Sequence, residues 1–290
     1  MRAIIKRAKR ENQTIGFVPT MGALHAGHAF LLKKCRREND LTILSIFVNP
    51  KQFGPSEDFK SYPRDEKRDI FLAKKENIDI IFHPSVNEMY PDRYLTKISV
   101  KELTESLCGK SRPGHFDAVA TVVGKLLNIT QPSTLYLGQK DAQQCAVIKQ
   151  LVRDLNFPVK VKVVPTVREG DGLALSSRNR YLSTQHRQEA PVLYKSLCLA
   201  KAMIIKGKKN PLVIKNLMTD FITQKSSGKI DYIECVDAHS LIPLKRIQGN
   251  VLITLAVWFG RARLIDNIIL KLKRQLPISN EIHLVHGTHP

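Results

Sequence analysis

The sequence predicts an α/β protein: a doubly wound parallel sheet joined to a second, smaller α+β unit. Runs of strand length that are rich in Ile, Val and Leu recur along the first part of the chain, with amphipathic stretches between them. Such runs suit strands that are covered on both faces, and their alternation with helices implies a parallel sheet with crossover helices. Beyond about Pro165 the pattern changes to two helices followed by strands. The 290 residues, 43% of them hydrophobic, are enough for one large domain or two modest ones.

The first predicted domain covers residues 1–167. Its first strand is the apolar run at residues 15–18, and a helix is expected to start near Phe30. Residues 108–116 are interpreted as a turn-rich loop with further cationic and donor groups. The other strands are predicted at residues 41–48, 78–82, 134–137 and 159–164, and the helices at residues 65–75, 119–129 and 141–155.

The second predicted domain covers residues 168–290 and is expected to close over the ligand site. Residues 168–179 are interpreted as the linker between the two domains. The tail carries His283, His286 and His289 at equal spacing, for which an ordinary frayed terminus is favoured over a metal site. Helices are predicted at residues 184–206 and 211–224, and strands of a small antiparallel sheet at residues 230–236, 251–259 and 263–270.

The charge, the apolar stretches and the cysteines indicate which partners and which compartment to expect. The net charge of +20 permits attraction to acidic partners, but no aromatic-interleaved basic block accompanies it, so we expect a solvated basic surface and no nucleic-acid partner. No apolar stretch approaches the ~20 residues of a membrane span, and the basic N-terminal segment lacks the apolar core of a secretory signal. The five cysteines form no C-x-x-C pair. A cytoplasmic protein is expected.

The most informative stretch is PTMGALHAGH at residues 19–28, between the first strand and the following helix. A glycine-containing turn at this point of an open α/β sheet is where phosphates bind. His25 and His28 are three residues apart, so they share a face of a helical turn and could donate hydrogen bonds to a polyphosphate. A shared metal ion is one alternative, although no nearby Glu or Cys completes a ligand set. An ordinary polar turn is a second alternative. A dinucleotide-binding turn is a third, but the spacing here is not that of its G-x-G-x-x-G fingerprint.

Further polar groups follow other strands of the same predicted sheet. Gln52 could recognise a small polar substrate through its amide, or be a plain loop residue. Lys140 could neutralise a phosphate, and Asp141 could bind ribose hydroxyls or cap a helix. In residues 171–179, two serines and an arginine suit triphosphate oxygens, although an exposed linker is the plainer interpretation. Together these segments predict one polyphosphate site at the strand ends.

These segments resemble, in order and spacing, those of the pantothenate synthetase (pantoate–β-alanine ligase) family. The resemblance covers nearly the whole chain and rests on residues 19–28, 48–53, 62–64, 89–91, 112–116, 138–141 with Gln144, and 175–179. It implies a Rossmann-like catalytic domain of the nucleotidylyltransferase group with a His-x-Gly-His turn. It also implies the condensation of (R)-pantoate with β-alanine, in which ATP first forms pantoyl adenylate and AMP and pyrophosphate are released. Mg²⁺ as the companion of ATP, and a homodimer formed through the N-terminal domain, are further implications.

The resemblance also implies roles for individual residues. His28 is the expected proton donor or charge stabiliser, with His25 beside it, and Lys140 and Arg178 complete the catalytic set. Asp69 is a weak candidate for a Mg²⁺ contact, since phosphates and water can hold this ion. The expected pantoate-binding residues are Gln52, Gln144 and Met21. The expected ATP-binding residues are Met21, Gly22, Ala23, Leu24, His25, Ala26, Gly27, His28, Gly138, Gln139, Lys140, Asp141, Val167, Leu175, Ser176, Ser177 and Arg178.

Two departures from the family pattern touch no expected catalytic group. Leu175 stands where many relatives have Met, a swap that conserves volume, and Ala118 stands where Gly is frequent. Two other functions compete with the ligase. One is an adenylyltransferase that stops after transferring AMP. The other is a nucleic-acid-binding module, whose binding would weaken steeply with added salt and need no ATP.

Overall fold

The computed structural model describes residues 1–55 and 57–273. Its first part contains a parallel sheet with helices between the strands, which confirms the predicted fold class. The elements of this part are α1 (Arg2–Arg10), β1 (Ile15–Thr20), α2 (Ala26–Glu38), β2 (Leu41–Ile46), α3 (Glu66–Lys75), β3 (Ile80–Phe82), α4 (Val86–Met89), α5 (Cys108–Ser111), α6 (His115–Thr130), β4 (Thr134–Gly138), α7 (Ala142–Asp154) and β5 (Lys160–Val164).

The sheet has the strand order β3-β2-β1-β4-β5, and every neighbouring pair is parallel. The chain builds outward from β1 to β3 on one side and from β4 to β5 on the other. The crevice between the carboxyl ends of β1 and β4 is therefore a topological switch point, which is where open α/β sheets bind ligands. Phe17 and Leu135, paired in register, are fully buried and anchor this centre of the sheet.

Beyond β5, the described residues form the helices α8 (Thr184–Glu189), α9 (Val192–Ile205) and α10 (Pro211–Lys225) and the strands β6 (Lys229–Asp237), β7 (Asn250–Phe259) and β8 (Ala262–Lys271). The three strands form an antiparallel sheet of order β6-β7-β8. Ile214, Met218 and Ile222 of α10 pack with one core cluster of this part, which also contains Ile253 and Leu255. The core of the first part, in turn, includes side chains from the second sheet. The predicted boundary between residues 167 and 168 stays a prediction.

Several local predictions were wrong. The helix predicted over residues 184–206 is divided into α8 and α9, because Pro191 has no N–H to continue the first helix. The helix after β1 begins at Ala26, ahead of Phe30, since His25 caps it. The segment interpreted as a turn-rich loop contains α5 and the first residues of α6.

Within residues 1–55 and 57–273, no helix has both the length and the apolar composition that a membrane span requires. The tail histidines His283, His286 and His289 lie outside the described residues.

Candidate active site

A pocket of about 240 Å³ lies at the switch point, at the carboxyl ends of the central strands. The β1–α2 turn forms one part of its lining, and the 3-10 turn after β4 together with residues 175–178 forms another. The polar side chains along it include His25, His28, Gln52, Arg112, His115, Lys140, Asp141, Gln144, Ser176, Ser177 and Arg178.

The turn after β1 depends on a buried carboxylate. Gly22 and Ala23 both have positive φ, at 79° and 50°. Asp69 of α3, 2% exposed, accepts hydrogen bonds from the backbone N–H of Ala23 at 2.9 Å and of Leu24 at 2.7 Å. A Cβ on residue 22 would lie 2.8 Å from Asp69 Oδ2, so only glycine allows this approach. Asp69 therefore holds the turn in this conformation.

The two histidines cap α2, and backbone N–H groups orient both rings. His25 Nδ1 accepts from the backbone N–H of Gly27 at 3.1 Å, and His28 Nδ1 accepts from the backbone N–H of His25 at 3.3 Å. The ring centroids are 4.1 Å apart. A neutral imidazole has one donor and one acceptor nitrogen, so each ring carries its proton on Nε2. The turn thus offers two Nε2–H donors to a ligand in the pocket.

Both rings are neutral in the free protein. Burial, helped by the charge of Lys140, lowers the pKa of His25 to about 4. Burial also lowers the pKa of His28 well below its usual range, and His25 and Lys140 add to this. An incoming polyphosphate would act in the other direction, because its negative charge favours the protonated rings. The pair can therefore donate hydrogen bonds while both rings are neutral, and can take up a proton when an anion binds.

Cationic and hydroxyl groups gather near the histidines. Lys140 Nζ lies 3.9 Å from Asp141 Oδ1, and its side chain is 21% exposed. Ser176 Oγ accepts from the backbone N–H of Arg178 at 3.3 Å and so caps the 3-10 turn Ser177–Tyr181. The guanidinium of Arg178 donates to both carboxylate oxygens of Asp58, at 3.0 and 3.3 Å. Arg178 is thereby held at the rim of the pocket before any ligand arrives.

Gln52 is fixed by its neighbour Asn49. The Asn49 amide donates to Gln52 Oε1 at 3.2 Å, while the hydroxyl of Tyr90 donates to Asn49 Oδ1 at 3.0 Å. The Gln52 amide lies 2.7 Å from the sulfur of Met21, which places these two predicted substrate-binding residues side by side. Gln144, on the first turn of α7, also lines the pocket.

Arg112 and His115 line the pocket, although the sequence argument gave them no role in the site. Arg112 makes a two-bond ion pair with Glu57 and donates to His115 Nε2 at 2.9 Å. His115 Nδ1 in turn donates to the carbonyl of Gln52 at 2.7 Å. Burial, with the Arg112 charge, lowers the pKa of His115 to about 4. The run Arg-Pro-Gly-His was interpreted as a loop with cationic and donor groups, without a specific role for either residue.

The family of the chain is decided by comparison with known proteins. A family model described as pantoate-beta-alanine ligase matches residues 1–269. The chain belongs to the pantoate–β-alanine ligase family. The pantothenate synthetase of Caldicellulosiruptor saccharolyticus is 56% identical over 272 residues, which cover 94% of this chain and 97% of that protein. That of Geobacillus thermodenitrificans is 52% identical over 274 residues, 94% and 95% of the two chains.

Solved pantoate–β-alanine ligases share the fold. The crystal structure of pantothenate synthetase from Thermus thermophilus has a TM-score of 0.86 and 43% identity, and the match covers 91% of this chain and 96% of that one. The ligase from Francisella tularensis, complexed with β-γ ATP and β-alanine, has a TM-score of 0.74 and 39% identity, with 92% and 95% covered. The resemblance stated from the sequence is thus confirmed.

Most of the residues predicted to bind ligands lie together, as a ligase site requires. Those that line the pocket are Met21, His25, Gly27, His28, Gln52, Gly138, Lys140, Asp141, Gln144, Val167, Leu175, Ser176, Ser177 and Arg178. The predicted ATP-binding residues Gly22, Ala23, Leu24, Ala26 and Gln139 lie in the adjoining turns rather than in the lining. Their roles toward ATP and pantoate stay predictions.

Asp69, the predicted Mg²⁺ contact, is already taken up by hydrogen bonds within the turn. Both carboxylate oxygens of Asp69 accept backbone N–H groups, and the side chain is buried beneath the turn. In the part of the chain that the structure describes, no group of three His, Cys, Asp or Glu residues could hold a metal ion. The geometry gives Asp69 a structural role in the turn.

Proposed function

We propose that this chain condenses (R)-pantoate with β-alanine at the expense of ATP, through pantoyl adenylate, and releases AMP and pyrophosphate. The observation that carries the proposal is the pair of neutral Nε2–H donors of His25 and His28 next to Lys140 and the Ser176–Arg178 segment. Donors and cations converge there on one pocket at a helix N-terminus, which is the environment that a polyphosphate needs.

The first step is the transfer of AMP to pantoate. A carboxylate oxygen of pantoate bonds to the α-phosphorus of ATP, and the bond from that phosphorus to the pyrophosphate oxygen breaks. Both reactants are anionic, and charge develops on the departing pyrophosphate. Lys140, Ser176 and Ser177 would bind the phosphates, while the Nε2–H of His28 would stabilise the developing charge. Arg178, released from Asp58, would add a forked donor.

Pantoate is recognised in the inner part of the pocket. Gln52 and Gln144 present amides for its hydroxyls and carboxylate, without adding a second charge to desolvate. Val119, Val122 and Leu126 of α6 line the pocket with apolar surface that matches the two methyl groups of pantoate. An acid with the same carboxylate but no dimethyl carbon would lose this contact.

The second step makes the amide. The amine of β-alanine forms a bond to the activated acyl carbon, the bond from that carbon to the AMP oxygen breaks, and the nitrogen loses a proton. The Francisella tularensis relative was crystallised with β-γ ATP and β-alanine, which supports these two as substrates here. We further propose that Mg²⁺ arrives with the ATP phosphates, and that two chains associate through their N-terminal parts.

The test is ATP–pyrophosphate exchange with the full-length chain. Exchange that requires pantoate but proceeds without β-alanine supports the adenylate, and adding β-alanine should then release AMP and an amide. Exchange followed by a stable adenylylated product, with no amide, would instead identify an adenylyltransferase. Absence of exchange, with no AMP after β-alanine is added, would overturn the proposed function.

A further inference from the structure

Strand β8 carries two adjacent polar residues at a place where both faces of the sheet are covered. Asp266 and Asn267 are each 2% exposed. They lie between Leu264 and Ile268, which pack with the core of the second part. Burying a carboxylate and an amide is unfavourable unless each finds partners. Apart from one hydrogen bond between the two residues, their side-chain partners are in segments that line the pocket or lead into it.

Asn267 holds the 3-10 turn after β4. Its side-chain amide donates to the backbone carbonyl of Gln139 at 3.0 Å and to that of Lys140 at 2.9 Å. Its Oδ1 lies 3.4 Å from the Gln139 amide, which can donate to it. The two donors of one amide thus fix two successive carbonyls, and these determine where the Lys140 side chain leaves the backbone.

Asp266 holds the beginning of residues 168–179. Its carboxylate accepts two hydrogen bonds from Arg168, at 2.6 and 2.9 Å, and one from the backbone N–H of Asn267 at 2.8 Å. Arg168 also donates to the carbonyl of Gly172 at 3.1 Å, and its guanidinium lies 3.7 Å from the ring centroid of Tyr194. The Arg168 side chain is 16% exposed, so this ion pair is largely removed from water.

Backbone contacts connect the ion pair of Arg168 with the segment that carries the serines. A β-bridge joins Arg168 to Ala174, and the backbone N–H of Leu175 donates to the carbonyl of Val167 at 3.0 Å. Ser176 follows immediately. Two neighbouring residues of one strand therefore position both phosphate-facing segments, which are separated by the whole of α7 and β5.

We infer that Asp266 and Asn267 are positioning residues for the adenylation step: they fix Lys140 relative to Ser176 across the polyphosphate site. This inference rests on the proposed function. Neither residue touches a reacting atom, so both act through the segments they hold. Catalytic groups must be held within a fraction of an ångström of the productive geometry, and a shift of about 1 Å is enough to slow a reaction roughly 100-fold.

The test compares Asn267→Ala with Asn250→Ala, a matched loss of an asparagine from the same sheet. Asn250 lies on β7, and its amide is 3.4 Å from a ring nitrogen of His239. We expect Asn267→Ala to reduce the rate of pantoate-dependent exchange about 10-fold and to raise the KM for ATP, with the KM for β-alanine unchanged. Pantoyl adenylate supplied directly should react with β-alanine within about twofold of the wild-type rate, because the pyrophosphate has already left. Asn250→Ala should behave as wild type in each assay.

Three outcomes would overturn the inference. The first is an Asn267→Ala variant with wild-type exchange, and the second is equal losses in both half-reactions. The third is a lowered Tm with unchanged kcat per folded molecule. If the alanine variant does not fold, Asn267→Ser, which keeps a shorter donor, and Asp266→Asn are measured in the same way. A wild-type chain that makes no pantothenate contradicts the proposed function instead, and ATP binding by calorimetry then still compares Asn267→Ala with Asn250→Ala.

Discussion

The two parts of the pocket lining are built in different ways. In the β1–α2 turn, the bonds that orient His25 and His28 span two and three residues. The other part brings together Lys140 and Arg178, whose supporting contacts come from Asn267 and Asp58, 127 and 120 residues away. The two histidine rings keep their orientation once Asp69 has fixed the turn. The lining around Lys140 and Arg178 depends on the packing of the two sheets. A small shift between the sheets would therefore displace these two side chains before it displaced the histidines.

The largest expected effect is on the locally built part. His28→Ala removes an Nε2–H donor aimed at developing charge, so kcat should fall roughly 100-fold or more. The measurement is the pantoate-dependent exchange rate at saturating ATP. His83→Ala, which removes an exposed histidine near Glu66, is the control and should leave the rate unchanged. A wild-type rate from His28→Ala would remove His28 from the mechanism.

Two glycines separate the requirements of the fold from those of the ligand. Gly22→Ala places a Cβ 2.8 Å from Asp69 Oδ2 at a φ of 79°, so the free energy of unfolding should fall by about 2 kcal/mol. At Gly138 the Cβ would meet only Leu31 Cδ1, at 3.9 Å, and the residue lines the pocket. Gly138→Ala should therefore leave stability within about 0.5 kcal/mol and raise the KM for ATP.

Urea unfolding and the KM for ATP, measured on both variants, distinguish a role in the fold from a role in ATP binding. If Gly138→Ala destabilises as much as Gly22→Ala, both glycines serve the fold. If Gly138→Ala changes neither quantity, no ligand lies against that residue.

The locally built part should also respond to acid. Burial lowers the pKa of His25 to about 4, so the unfolded chain binds a proton there at a higher pH than the folded one does. Stability from this residue is fully present above its ordinary pKa of 6.5 and is lost as the pH falls toward 4. Between about pH 7 and pH 5, the loss should amount to about 2 kcal/mol.

The free energy of unfolding of His25→Gln, measured by urea at both pH values, should fall less than that of the wild type. His83→Gln serves as the exposed control. Parallel pH dependence of His25→Gln and the wild type would mean that the ring is not held neutral by the turn.

The same difference between the two parts explains what the sequence could predict. The His-x-Gly-His turn and the five strands were found because hydrophobic runs and turn residues report on their own neighbourhood. Asp69 was named as a metal candidate, although its partners are two backbone N–H groups more than forty residues earlier in the chain. Asp266 and Asn267 gave no signal at all, because a strand pattern does not show which distant carbonyl an amide will meet.

The smallest effect is expected at a single substrate contact. Gln144→Ala removes one neutral amide from the pocket, and a hydrogen bond of this kind is worth about 1 kcal/mol, or roughly a fivefold rise in the KM for pantoate. The KM for ATP and kcat should change little, since Gln144 faces neither the phosphates nor the histidines in this proposal. Gln150→Ala, on the same helix but outside the pocket lining and bonded to Asp154, is the matched control. Unchanged pantoate kinetics would contradict the role of Gln144. A larger change in the KM for ATP than in that for pantoate would move Gln144 to the nucleotide side of the pocket.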